Sequence, residues 1–414
     1  MALHSTGNVG ASSNAVLVVH CDGPVCPDRL TRSLDRFLQY CPWPAARLRR
    51  PFPWGKLHWA ASRGTGVGPP PVRFRPVATA EELQQAVDAE LNTGIDPRRD
   101  PPLRFLTLEG APERPGGGVL VMTWFHPFMD PRGAQNLLCH LAHLDRHASE
   151  APWGGTVPVF VRAADPRSFR ERGRLARKSL EYMRTLPRTL AVSPATPPGG
   201  RVCFRQVSFA EGDSARATQE IWWRLAVVGK AMRRLWEQRN LPDVPFLLPI
   251  AVDLRPKGEP GPTFGNMLAF HFARFRPSDA ADVPRLASAL RGQLADAVRG
   301  GQIEANDVAM DFLQYRPLSF VRRAVRRTGG QTFSFNCADV MDFPAALDRC
   351  FGRRVVNAYH IPAVPPRPGI GVFFNRCAGR SNLVVAWIDG VVTSDDVTRI
   401  VDVVREGMGW TETS

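Results

Sequence analysis

The sequence predicts an α/β or α+β protein built in two halves. Three observations carry that expectation. Strand-like and helix-like hydrophobic periods alternate along the whole 414 residues. A chain of this length holds two or three domains at about 150 residues each, or one fold made of two halves. A basic, Pro/Gly-rich stretch divides it, so the expected organisation is an N-terminal unit over 1–165, a linker over 166–200 and a C-terminal unit over 201–414.

The first half opens with an apolar strand over 14–20. A helix over 28–40 follows, with Leu30, Leu34, Phe37 and Leu38 at helical spacing and Asp28 as its expected cap. Residues 41–77, rich in Pro, Gly and Arg, read as loop with short strands. Thr79 followed by Glu82 is a capping-box pattern that starts a helix reaching about Asn92. Residues 103–108 form a strand, and Gly116, Gly117 and Gly118 turn the chain into a second one over 119–125. That second strand is apolar at nearly every position, the mark of a strand covered on both faces and central in its sheet. A helix from Pro131 to about His147 places Leu137, Leu138, Leu141 and Leu144 toward the core.

Residues 165–188 carry a net charge of +5, and the segment closes with SPATPPGG. The second half then reads strand 201–209, helix 213–239, strands 245–252 and 266–275, and helices 283–299 and 303–313. Strands over 331–336, 354–361, 369–377 and 382–389 follow, with a last helix over 394–406.

Composition narrows the class. Hydrophobic residues at 44% and charged residues at 22% exclude a disordered or collagen-like chain. The net charge is +14, and only Lys56, Lys178, Lys230 and Lys257 are lysines, so the excess is arginine. Arginine's planar fork suits phosphates and carboxylates, and the expected partner is anionic. Nucleic acid is disfavoured, because the arginines are not interleaved with aromatics and no nucleic-acid motif is present. Residues 167–188 read as an amphipathic helix pair that lies on a membrane or meets an acidic carrier domain, and Arg316, Arg322, Arg323, Arg326 and Arg327 form a second basic cluster. The eight cysteines lack zinc spacing and any CxxC pair. With no basic-then-apolar N-terminal segment and no run long enough to span a bilayer, the expectation is a cytoplasmic protein with reduced thiols.

Chemistry concentrates at Trp124-Phe125-His126-Pro127-Phe128-Met129-Asp130-Pro131-Arg132-Gly133, where a buried strand ends and a helix begins. Such corners lie at the rim of a sheet, where pockets form. Read locally, Asp130 is an N-cap and Pro131 the first helical residue, which needs no further purpose. His140, His143 and His147 lie at i, i+3 and i+7 on one predicted helix with Asp145 nearby, but no HExxH pattern is present and no metal is expected. Gly64 to Gly68 runs into three prolines rather than a helix, which argues against a phosphate loop.

His126-x-x-x-Asp130 resembles the HxxxD motif of the acyltransferases related to chloramphenicol acetyltransferase. That superfamily includes condensation domains, polyketide-associated acyltransferases and wax ester synthases. The surroundings are similar too, in order from residue 14 to 408. Ile95-Asp96 leads to Pro102-Leu103-Arg104-Phe105. Val252-Asp253-Leu254-Arg255-Pro256 resembles the segment whose Arg pairs with the motif Asp. Phe264-Gly265-Asn266 resembles the Gly-Asn turn, Ser334-Phe335-Asn336 an Asn-bearing strand, and Gly379 to Leu383 the approach to the closing strand and helix.

The resemblance implies two chloramphenicol-acetyltransferase-like lobes, each a mixed sheet flanked by helices, with the active site between them. It implies acyl transfer from acyl-coenzyme A or an acidic phosphopantetheinyl carrier protein to a small hydroxyl or amine acceptor, with no tightly bound cofactor. His126 would be the general base, with Asp130 and Arg255 structural at the site. Arg132, Gly133, Asn266, Asn336 and Trp124 are the candidate oxyanion or substrate contacts. Two departures stand out. Phe125 occupies the place of the first of two histidines in condensation domains. Pro131 replaces the glycine after the motif Asp, and proline has no N–H to offer an oxyanion. A carrier-binding scaffold without catalysis is the alternative these departures motivate.

Overall fold

A computed structural model describes residues 13–52, 55–61, 68–111, 116–147, 165–193, 200–210, 221–255, 263–317 and 333–411. Gly64 to Val67, the arginines 322–327 and Pro256 lie outside them.

The first sheet grows around β1 (Asn14–Cys21) and β6 (Gly117–Phe125), in which nearly every side chain is buried. Its order is β11-β12-β1-β6-β5-β4, with β4 at Val72–Pro76, β5 at Leu103–Ala111, β11 at Arg349–Cys350 and β12 at Arg353–Ile361. β5 and β6 form the expected antiparallel hairpin. α1 (Pro27–Tyr40) and α3 (Pro131–Arg146) cover one face, filling it with Leu34, Phe37, Trp124, Leu137 and Leu141. α2 (Ala80–Asn92) lies on the other, where Glu90 is buried among Arg73, Arg104 and Thr123.

The second sheet has the order β10-β13-β14-β7, with β7 at Val202–Ala210, β10 at Asn336–Asp342, β13 at Ile370–Cys377 and β14 at Arg380–Ile388. α5 (Ile221–Gln238) and α8 (Ser394–Met408) pack against it through Val227, Ala231, Ile400 and Val404. A separate antiparallel pair, β8 (Phe246–Asp253) and β9 (Leu268–Phe275), is backed by α6 (Val283–Arg299) and α7 (Gln302–Leu313). A short ribbon of β2 (Arg47–Arg49) and β3 (His58–Ala60) completes the strands.

Four features differ from the sequence reading. β12, expected with the second half, pairs along β1 from Val16↔Ile361 to Cys21↔Val355 and completes the first sheet. β1 is apolar on both faces and needs a neighbour on each edge, which β6 supplies on one side and β12 on the other. β10 begins at Asn336, where its parallel ladder with Gly371 of β13 starts, and not within residues 333–335 of the expected strand 331–336, whose first two residues lie outside the described ones. The cap of α1 is Cys26 with Pro27 in the first turn; Asp28 lies inside the helix, where its charge favours the N-terminal dipole. Within the stretch expected as linker, whose residues 167–188 also read as an amphipathic helix pair, a single helix, α4 (Phe169–Thr185), forms behind a capping box of Ser168 and Glu171.

The two sheets meet at an amide cluster. Asn357 of β12 and Asn382 of β14 exchange hydrogen bonds of 3.0 and 2.9 Å, and Asn375 of β13 donates to the Ala358 carbonyl at 2.7 Å. Side-chain amides thus take the place of a backbone ladder between β12 and the second sheet, satisfying groups that burial would otherwise leave unpaired.

Candidate active site

The corner after β6 is held from several sides. His126 N–H donates to the Ser13 carbonyl at 3.0 Å, carrying the β1 pairing one residue past the strand. Phe128 N–H closes a turn onto the Phe125 carbonyl at 2.8 Å. The Phe128 ring stacks on Trp43 at 3.7 Å between centroids and meets Trp59 edge-on at 4.8 Å. Trp124 is wholly buried, and its indole N–H donates to the Met129 carbonyl at 2.9 Å. Trp124 therefore steadies the loop from behind.

Asp130 is the N-cap of α3 and has no exposed surface. Its Oδ1 accepts from the Gly133 amide at 2.7 Å and from Arg255 Nη2 at 2.9 Å, and its Oδ2 from the Met267 amide at 2.8 Å. Burial pushes this carboxyl's pKa up, and the Arg255 guanidinium and the two amides oppose the rise. Arg255 also donates to the Gly265 carbonyl at 2.8 Å and to Asp253 at 3.0 Å. One carboxylate thus ties the corner of the first half to the end of β8 and to the 264–267 turn.

Gly133 is needed where it stands. A Cβ there would lie 2.1 Å from the Phe264 carbonyl oxygen. Its amide is spent on Asp130, so the expectation that it donates to an oxyanion is corrected: with Pro131 lacking an N–H, neither residue supplies one. Arg132 is engaged as well. It donates to Gln135 Oε1 at 2.9 Å and to the Asp342 carbonyl at 3.0 Å, bridging α3 to the end of β10. Asn266 stands exposed in the turn beside Met267. Asn336 opens β10 in the second sheet and makes no hydrogen bond to His126, Asp130 or Arg255.

His126 is partly buried. Its Nδ1 is sealed from solvent without a partner, which leaves Nε2 as the nitrogen able to meet a substrate. Burial lowers the ring's pKa to about 4, so it is neutral at pH 7. A neutral imidazole with one reachable nitrogen is equipped to accept a proton. Residues that sequence reasoning missed are Met267, whose amide anchors Asp130, and Trp43 and Trp59, which brace the loop. No local signal marks an amide or a packing partner drawn from a distant segment. Among the described residues no group of three or more His, Cys, Asp or Glu is arranged to hold a metal ion, and all eight cysteines are free.

The architecture is that of the chloramphenicol-acetyltransferase-like acyltransferases, in the two-lobed form of condensation domains. The first condensation domain of the CDA synthetase superposes with a TM-score of 0.67 at 16% identity, covering 98% of this chain and 92% of that one. The TRI3 trichothecene 15-O-acetyltransferase from Fusarium sporotrichioides gives 0.67 at 10% identity, over 98% and 92%. The wax ester synthase/diacylglycerol acyltransferase from Marinobacter aquaeolei VT8 gives 0.56 at 14%, over 98% and 95%. No family model and no curated protein matches the sequence.

Proposed function

We propose that this chain is an acyltransferase that moves an acyl group from a thioester to a hydroxyl or amine, in natural-product or lipid assembly. The donor is acyl-coenzyme A or an acyl-phosphopantetheinyl carrier protein, and it enters as substrate. The observation that carries the reading is the corner itself: His126 offers Nε2 while Asp130, locked by Arg255 and two amides, fixes the loop that presents it.

His126 Nε2 takes the proton of the acceptor as the acceptor's oxygen or nitrogen bonds to the thioester carbonyl carbon. Collapse of the tetrahedral intermediate breaks the carbon–sulfur bond, and the imidazolium returns its proton to the leaving sulfur. For Nε2 to accept, the neutral ring carries its hydrogen on Nδ1. Burial keeps the ring unprotonated at pH 7 and also weakens it as a base, so the acceptor's approach must help the transfer.

The test is release of free thiol from a panel of acyl thioesters, with candidate acceptors and the His126→Ala variant. Turnover in the wild type and its loss in a folded His126→Ala protein are expected; wild-type turnover in that variant overturns the role of His126. A second reading, a carrier-binding scaffold without catalysis, is favoured by the lack of a free amide at Pro131 and Gly133. Carrier binding with no thiol release from any donor would establish it instead.

A further inference from the structure

The arginine surplus has a structural address outside the candidate site. α4 spans 17 residues, about 25 Å at a helical rise. Its inner side is fastened. Ser179 donates to Asn306 Oδ1 at 2.8 Å, Tyr182 to the Phe272 carbonyl at 3.0 Å, and Lys178 to the Gly300 carbonyl. Ser179 is the one buried residue of the helix.

The outer side carries two parallel rows. Phe169, Ala176, Leu180 and Met183 recur at i, i+7, i+11 and i+14, which places them on one line. Phe169 is 78% exposed, Leu180 59% and Met183 42%. Beside them run Arg170, Arg174, Arg177 and Arg184, all exposed. Arg177 pairs with Glu181, whereas Arg170, Arg174 and Arg184 make no ion pair or hydrogen bond with any described residue.

We infer that this face of α4 rests on an anionic lipid surface. An apolar row flanked by unpaired cations is what a helix lying in a bilayer interface presents: the phenyl and aliphatic groups reach the acyl boundary and the guanidinium groups stay among the phosphates. A planar interface meets both rows along their full length. An acidic protein domain would answer the arginines, and the experiment below separates it from a lipid surface. The inner hydrogen bonds keep the helix on the folded body, so contact needs no rearrangement.

The experiment is co-sedimentation of the full chain with vesicles of phosphatidylcholine alone and of phosphatidylcholine with phosphatidylserine. The wild type is expected to sediment with the anionic vesicles only and to be released by salt. Neutralising three arginines cuts partitioning about a hundredfold, at about fivefold for each charge. The triple variant Arg170→Glu, Arg174→Glu, Arg184→Glu is therefore expected to stay in the supernatant with an unchanged melting temperature. Phe169→Ser with Leu180→Ser is expected to bind more weakly. Wild-type protein that ignores anionic vesicles, or a triple variant that sediments like the wild type, overturns the inference. So does wild-type binding to an acidic carrier protein but not to vesicles, lost in the triple variant. The outcome is independent of whether His126 is catalytic.

Discussion

Replacing Arg255 by Met tests how much the corner depends on its ion pair. The substitution removes the 2.9 Å bond to Asp130 and the 2.8 Å bond to the Gly265 carbonyl, and leaves Asp130 fully buried with two amide donors. Removing one partner of a buried pair costs about 3–5 kcal/mol, because the remaining charge is uncompensated. The exposed bond to Asp253 adds little. Asp130→Asn keeps one acceptor but turns an amide toward the Met267 or Arg255 donors, for a loss of about 1.5–3 kcal/mol. The double variant leaves no buried charge to compensate, so it is expected to cost about 2 kcal/mol less than the sum of the two. Urea unfolding followed by tryptophan fluorescence reads these differences, and thiol release reads whether His126 is still presented. Single costs below about 1 kcal/mol, or strictly additive ones, would refute the view that this pair secures the corner.

Gly133→Ala sets a methyl 2.1 Å from the Phe264 carbonyl and is expected to destabilise by about 1–3 kcal/mol or more, read by thermal melting. His271 is buried in β9 with neither ring nitrogen hydrogen-bonded; His271→Leu is expected to stabilise by about 1–2 kcal/mol in urea, and a loss there counts against it. Burial lowers His126, His140 and His271 to about 4 and His360 to about 3. In the unfolded chain these rings take up protons near pH 6.5, before the folded ones do. Stability present at neutral pH is therefore expected to fall as pH drops from about 6.5 toward 4, measured as the urea midpoint at each pH. The acid limb of kcat/KM, with His126 as base, is expected near pH 4 instead of 6.5.

What sequence reasoning could see tracks what is local. The all-apolar run of β6 announces a central strand, and Thr79 and Asp130 announce helix starts, because one residue's neighbours decide each. Phe333 and Phe335 look more strand-like than Asn336, Asp339 and Asp342, yet β10 runs through the latter, because the parallel ladder with β13 decides its position. The helical reading of 167–188 holds for Phe169–Thr185, where Ser168 and Glu171 supply a local start signal, and only the expected pair reduces to one helix. The site divides in the same way. His126 and Asp130 stand in one motif, and Arg255 follows from a resemblance. Met267's amide, Trp43's ring and the spent amide of Gly133 depend on which distant segments meet, which no local pattern records.

The pairing of Val16 with Ile361 bears on how the molecule is made. On a ribosome adding about 5–20 residues per second, β1 emerges tens of seconds before the strand that completes its edge. Until then the first sheet presents an open, apolar edge, an invitation to stray pairing. The N-terminal half released early, or expressed alone, is therefore expected to aggregate, and its rescue by the separately produced C-terminal half would mark the moment at which the two parts become one protein.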